Sequence, residues 1–231
     1  MITKADSLEP GYPTELVSLA EYLNAPNLPL LLRQFLFDQL HPDELPAVQN
    51  PIAILPTIDT SVNVFHSACA IFYAPSDVSG THGMQRQIIR ATPSWRQKEA
   101  RYDCVLIVED QDKPGMRGMV VGRVRCFLSF MHNDITYPCA LVDRFKRVGR
   151  SPDPITGMWK VQPETARSRH GLRRRIQSIV HIETILRNVH LIPVFGSGFV
   201  PHRLHFSDSL DVFATYYVNK YADHHSFEVV V

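Results

Sequence analysis

The residues best suited to act together chemically stand in one short stretch, 166-ARSRHGLRRR-175, with five arginines, one histidine and no acidic residue. The planar guanidinium of arginine can donate two hydrogen bonds at once to a phosphate, so clustered arginines are typical of nucleic-acid contacts. Five contacts to DNA phosphates would make log affinity fall with log salt at a slope near −4.5. The candidate nucleic-acid-binding residues are Arg167, Arg169, Arg173, Arg174 and Arg175.

Two other interpretations of this stretch stay open. Runs of like charge are commonly solvated loops, and the stretch lies between strand-like segments at 159–161 and 179–182, where an exposed loop is expected. The same loop could instead contact a partner protein. The formal net charge of the whole chain is only +1, so any attraction for nucleic acid is local.

Motifs for catalysis are missing from the sequence. It contains no G-x-S-x-G, G-x-x-x-x-G-K or G-x-G-x-x-G, the motifs of a nucleophilic serine and of bound phosphate or dinucleotide. A metal-dependent nuclease needs two or three converging acids, and the sequence singles none out. The acids that could be nominated are Asp77, Asp103 and Asp143. We expect no enzyme activity and no cofactor.

A metal site is not expected either. The eleven histidines form only two close pairs, His202 with His205 and His224 with His225. A zinc site needs three or four converging ligands, and neither pair stands near a C-x-x-C or an H-E-x-x-H.

The cysteines and the N-terminus predict an intracellular protein without a membrane span. No C-x-x-C occurs, so buried reduced thiols are expected rather than disulfides. The N-terminus lacks the apolar stretch of a secretory signal, and no apolar run is long enough to span a bilayer. The four cysteines are Cys69, Cys104, Cys126 and Cys139.

The first part of the chain, 1–97, reads as a helical arm with one strand-like segment. Apolar residues at helical spacing follow Thr14, and a second helix fits 28–40. The buried strand is expected at 62–73, and a short helix at 83–91.

From about residue 98 to 206 the apolar pattern changes to a period of two. Runs at 103–110, 118–130 and 136–148 predict strands, with a turn at 132–134. Such strands without crossover helices predict an antiparallel β-barrel in an α+β protein. The segment 207–231 is predicted to be a helix packed on the barrel. Its apolar side would hold Leu210, Phe213, Ala214, Tyr217, Val218 and Tyr221.

Whole phrases of the chain resemble the C-terminal region of large transposon-encoded fungal proteins of the Plavaka/KDZ kind. In that family transposition is attributed to an RNase H-like core with acidic metal ligands, upstream of this region. The resemblance therefore implies an accessory or remnant piece rather than a working transposase. The phrases include 101-RYDCVLIVED-110, 115-GMRGMVVGRVRCFLSF-130, 137-YPCALVDRF-145, 157-GMWKVQP-163, 181-HIETILRNVHLIPVFG-196 and 216-YYVNKYADHHSFE-228.

Residues 101–195 also resemble a bromo-adjacent homology (BAH) domain. The similarity lies in a D-C-V-L-I strand, an Arg-x-Arg strand face and a partner strand that ends in an aromatic residue. Where that family commonly has Trp followed by an aromatic residue, this chain has Arg144-Phe145. Such domains are not enzymes and bind nucleosomes or other proteins.

Aromatic side chains of this barrel are the candidates for a peptide-binding surface. The alternative is that they fill the core, as aromatic residues of small barrels commonly do. The three candidates are Tyr137, Phe145 and Trp159.

The expected function is binding. The first hypothesis is a non-catalytic interaction module, derived from a transposon-encoded protein, that binds a protein of the chromatin or transposition machinery. Such partners imply a nuclear location. One alternative is a DNA-binding accessory domain that uses the basic loop 167–175. The other is a degenerate fragment without a selected function.

Overall fold

Strands form most of the regular structure of this chain, with a few helices beside them. A computed structural model describes residues 2–3, 11–77, 80–167, 171, 173–196, 198–200 and 202–231. The α-helices are α1 (Leu16–Tyr22), α2 (Leu28–Leu40), α3 (Ser209–Val212) and α4 (His224–Val229). Short 3-10 helices lie at Gly115–Arg117, Ile182–Thr184 and Phe206–Asp208. None of the described helices is long and apolar enough to cross a membrane.

The strands are numbered in chain order. They are β1 (Ile2–Thr3), β2 (Asn63–Phe65), β3 (Ser67–Tyr73), β4 (Met84–Thr92), β5 (Arg101–Tyr102), β6 (Cys104–Val108), β7 (Met119–His132), β8 (Ile135–Val148), β9 (Lys160–Pro163), β10 (Thr165–Arg167), β11 (Arg173–Arg175), β12 (Gln177–His181), β13 (Ile185–Asn188), β14 (Leu191–Pro193) and β15 (Tyr216–Val218).

The largest sheet is antiparallel and curls into a half-barrel. Its strand order is β13-β6-β7-β8-β9-β15-β14, with β2 paired to β7 and β12 paired to β8. The α+β class with mainly antiparallel strands is thus confirmed, in an open rather than closed form. Because β2 belongs to this sheet, the sheet also includes residues before the boundary expected at 98.

The β7–β8 hairpin is the longest pairing of the sheet, and each strand runs for 14 residues. Asn133 and Asp134 connect the strands with φ angles of 49° and 60°. Two consecutive residues with positive φ match the type I′ turn, whose twist suits a hairpin, and Asn and Asp tolerate this conformation better than most residues. The turn expected at 132–134 is confirmed.

The helices α1 and α2 cover the part of the sheet that includes the tip of this hairpin. Leu19, Leu28, Leu32 and Leu36 of the helices are fully buried in one apolar cluster with strand residues such as Phe130. Helices are therefore present at both positions expected in the first forty residues.

The helix expected at 83–91 is wrong, because this segment is strand β4. It pairs with β3 in a second sheet of order β1-β3-β4-β5. Ile89 and Ala91 point into the core, two residues apart, as a strand requires. The local sequence Q-R-Q-I-I-R is compatible with a helix or with a strand. This segment forms a strand because its backbone pairs with the buried strand β3.

The single C-terminal helix expected at 207–231 is also wrong. The segment holds the short helices α3 and α4, with the strand β15 between them. Tyr216 and Val218 are buried, while the backbone of β15 pairs with β14 on one side and β9 on the other. The aromatic and β-branched residues of this segment favour a strand, and the two neighbouring strands supply its backbone hydrogen bonds.

The four cysteines are free and buried, as the sequence predicts. Burial raises the pKa of Cys104 and of Cys126 to about 12. The pKa of Cys139 is raised for the same reason. A reactive thiolate is therefore strongly disfavoured at these three positions.

Candidate nucleic-acid interface

The arginine stretch forms a two-stranded ribbon of its own, outside both sheets. Strands β10 and β11 pair antiparallel, with Arg167 opposite Arg173, Ala166 opposite Arg174 and Thr165 opposite Arg175. Arg169 lies outside the described residues. The described part of this stretch is a regular antiparallel strand pair.

The root of this arginine ribbon is hydrogen-bonded to β8. The amide of Arg144 donates to the carbonyl of Ile176 at 2.9 Å, and the amide of Glu164 donates to the carbonyl of Arg144 at 2.9 Å. Ile176 in turn donates to the carbonyl of Glu164 at 2.8 Å. These bonds fix the direction in which the ribbon leaves the sheet.

The outer arginines of the ribbon are exposed and unbalanced by acids. Arg167 and Arg173 stand directly opposite each other, and like charges in this position are destabilising. Within the described residues, no carboxylate oxygen lies within 4.0 Å of the guanidinium groups of Arg167, Arg173 or Arg174. An anion bound from outside would reduce this repulsion.

Arg175 differs from the other arginines of the ribbon because it binds inward. Its Nη2 donates to the carbonyl of Leu210 at 2.8 Å and to Oδ1 of Asp211 at 3.0 Å. The other carboxylate oxygen of Asp211 accepts from Nη1 of Arg123 at 2.8 Å. Arg175 therefore anchors the ribbon to the α3 segment, and its guanidinium is already engaged.

The Asp211 carboxylate remains charged in this setting. Burial acts to raise the pKa of Asp211, but hydrogen bonds and charges from Arg123 and Arg175 outweigh that effect and leave its pKa lowered. The negative charge of Asp211 thus offsets the positive charges of Arg123 and Arg175.

A polar groove of about 420 Å³ runs beside the ribbon root, between it and the α1–α2 loop. Its basic side chains are Arg125, Arg174 and Arg175. The groove also has two carboxylates. Asp211 accepts hydrogen bonds from Arg123 and Arg175, and Asp143 accepts one from Nε2 of Gln177 at 3.0 Å. Nε of Arg125 lies 3.8 Å from the second carboxylate oxygen of Asp143, so Arg174 is the basic side chain of this groove for which the described residues provide no ion pair.

The three aromatic candidates for peptide binding lie inside the fold. Tyr137 is 9% exposed, and Phe145 and Trp159 are each 1% exposed. Tyr137 stacks on Phe130 with ring centroids 5.6 Å apart, and Phe145 meets the edge of Tyr216 at 5.9 Å. Their positions agree with the core alternative and leave these rings little surface for a peptide.

A second basic region, around Trp95, was missed in the sequence. Arg90, Arg96 and Arg101 place their guanidinium carbons 4.3, 5.4 and 5.5 Å from the centroid of this ring. The signal available in the sequence was the phrase 95-WRQK-98, a tryptophan among basic residues. Arg90 and Arg101 join it only through the pairing of β4 with β5.

The acids and histidines considered for metal binding do not converge in the described part of the chain. No group of three or more His, Cys, Asp or Glu side chains there could hold a metal ion. Asp103 instead accepts from the amide of Arg90 and from Nε of Arg101, both at 2.9 Å.

No protein-family model, curated protein or solved structure matches the chain. The arginine ribbon is the feature from which we infer a function.

Proposed function

We propose that this chain is a non-catalytic DNA-binding domain that holds the phosphate backbone of duplex DNA with the arginine ribbon. The observation that carries the proposal is the pair Arg167 and Arg173, which lie opposite each other on an exposed ribbon. Among the described residues, no carboxylate forms an ion pair with either of them. A two-stranded ribbon fits the major groove of DNA, and the guanidinium fork matches phosphate oxygens.

The anchored root supports this proposal on energetic grounds. Binding costs less when the contacting groups are already ordered. The backbone bonds at Arg144 and the inward contact of Arg175 order the base of the ribbon in the absence of DNA. The outer arginines then lose little backbone freedom when they meet phosphates.

The test is duplex binding across a salt series, with the full chain and the double variant R173A/R174A. Each phosphate contact contributes about 0.9 to the slope of log affinity against log salt. The double variant is therefore expected to have a slope shallower by about 1.8. The matched control is R150A, which removes one exposed arginine on the turn after β8. A slope equal to that of the unmodified chain in the double variant would overturn the proposal.

A protein of the chromatin or transposition machinery is the second candidate partner. The favouring observation is a run of exposed aliphatic side chains in the proline-rich connector after α2. Leu45, Val48, Ile52 and Ile54 are each at least 62% exposed. If the chain binds this partner there, L45S/I54S weakens capture of the partner, while R173A/R174A leaves the capture unchanged.

We also propose that the chain is related to BAH domains and that it derives from a transposon. The curled antiparallel order β6-β7-β8-β9 supports a BAH-like sheet. A nuclear location follows from the proposed DNA ligand, and fluorescence microscopy of a tagged chain tests it.

A further inference from the structure

The segment that carries Trp95 is a tight turn in a costly conformation. The amide of Lys98 donates to the carbonyl of Trp95 at 3.1 Å, and the amide of Trp95 donates to the carbonyl of Glu99 at 3.0 Å. Arg96 and Gln97 at the corner have φ angles of 54° and 61°, in the left-handed region. Residues other than glycine, asparagine and aspartate rarely adopt this region, and such strain is concentrated at functional sites.

Three arginines crowd around the partly buried Trp95 ring with little acid to balance them. Arg101 pairs with Asp103 at 2.9 Å. For Arg90 and Arg96, the described residues supply no carboxylate within 4.0 Å of the guanidinium. The positive charges therefore repel one another at a site that is open to an anion.

Trp95 and Arg96 separate two cavities. The larger, of about 500 Å³, is also lined by Lys98, Arg101 and Tyr102. The smaller, of about 400 Å³, lies on the Arg90 side. Cavities of a few hundred Å³ suit small organic ligands, and the larger one combines two aromatic residues and several cations with one carboxylate, Glu99, which lies 3.9 Å from Nε2 of His205.

A buried cation forms part of the wall of the larger cavity. Arg123 is 8% exposed, and its Nε has no hydrogen-bond partner among the described residues. Its Nη1 donates to Asp211, the same carboxylate that accepts from Arg175 at the ribbon root. The cavity is thus joined to the ribbon by one continuous chain of charged contacts.

We propose that the larger cavity binds one nucleotide of an unpaired nucleic-acid strand. The base contacts Trp95 and Tyr102, and the phosphate contacts Arg96, Lys98 and Arg101. Every base offers an aromatic face, so aromatic residues beside basic ones are typical of sites for single strands. This inference goes beyond the proposed function, because it concerns an unpaired strand and side chains other than those of the ribbon.

The test uses a labelled oligothymidylate of about ten nucleotides, a length that one single-strand-binding module can cover. Trp159 is buried and Trp95 is partly exposed, so binding is expected to quench the fluorescence of Trp95. The quenching disappears in W95F, whose remaining tryptophan is Trp159. The affinity of W95A, measured by fluorescence anisotropy, falls about tenfold or more. Quenching that persists in W95F, or an unchanged affinity in W95A, would overturn the inference.

A second variant covers the case in which substitution of Trp95 disturbs folding. R96A/K98A alters two exposed side chains and keeps the ring. Its salt slope for oligothymidylate is expected to be shallower by about 1.4, at about 0.7 for each phosphate contact with a single strand. An unchanged slope would contradict the placement of the phosphate.

Two further measurements separate this inference from its alternatives. Inorganic tripolyphosphate is expected to compete poorly with oligothymidylate, because it has no base. If tripolyphosphate competes as well as oligothymidylate does, the cavity recognises only an anion, and the assignment of a nucleotide site is overturned. R173A/R174A is expected to retain the Trp95 quenching, whereas W95A is expected to retain duplex binding and its salt slope. Failure at one site can therefore be told from failure at the other.

Discussion

Arg187 of β13 and Asp223 of the C-terminal segment form a two-pronged ion pair. Nη1 of Arg187 lies 2.9 Å from Oδ1 of Asp223, and Nη2 lies 2.5 Å from Oδ2. The arginine is buried and also contacts Nδ1 of His225 at 2.9 Å. Asp223 caps α4 as well, since its side chain accepts from the amide of Ser226 at 2.7 Å. One carboxylate thus holds the last helix to the sheet.

Substitution of this carboxylate should destabilise the protein. D223A leaves the Arg187 charge buried without its partner and removes the helix cap. Breaking a buried pair costs about 3–5 kcal/mol, but Asp223 is partly exposed, so we expect a loss of about 2–3 kcal/mol. Urea unfolding measures the loss. The control is D43A on the exposed connector, with a change within about 0.5 kcal/mol. A D223A value as small as that of D43A would show that the pair adds little.

The acid limb of the stability curve should depend on Asp153. Hydrogen bonds from Lys160, at 2.6 Å, and from Thr156 lower the pKa of Asp153 to about 2. A carboxyl whose pKa is lower in the folded state stabilises the protein fully above its unfolded pKa, near 3.9. This contribution is lost as the pH falls from about 4 toward 2. Urea midpoints over this range should fall less steeply for D153N than for the unmodified chain, and parallel curves would contradict the assignment.

Gly122 of β7 is required by close packing. A Cβ built at this position would lie 2.7 Å from Cδ1 of Ile107 and 3.1 Å from Cβ of Val142. G122A should therefore overpack the sheet and lower the free energy of unfolding by about 1–3 kcal/mol. G196A is the matched control, because a Cβ there meets no atom within 4 Å. Equal stability of the two variants would mean that the sheet relaxes around the added methyl group.

Neighbouring arginines of the ribbon should separate stability from DNA binding. R175A removes the bonds to Leu210 and Asp211, so we expect a loss of about 1–2 kcal/mol of stability with the salt slope unchanged. R174A should do the reverse, with stability unchanged and the slope shallower by about 0.9. Urea unfolding and duplex titration of both variants provide the comparison. Identical behaviour would refute the different placement of these two side chains.

Local patterns in the sequence determined the elements that depend on near neighbours. The apolar spacing predicted α1 and α2, and the period of two with a turn at 132–134 predicted the β7–β8 hairpin. The same reasoning predicted buried thiols and placed the arginine stretch outside the core. These features follow from helix period, turn chemistry and the cost of burying charge, which act over a few residues.

Only the tertiary structure decided features whose partners lie far along the chain. β4 and β15 are strands because β3, β9 and β14 offer them hydrogen bonds, although their own sequences also suit helices. Arg175 binds inward while Arg173 stays exposed, because Asp211 reaches the ribbon root from 36 residues away. A segment can often form more than one local structure. The structure it adopts is the one in which distant segments bury its side chains and form hydrogen bonds with its backbone, and local sequence patterns do not contain this information.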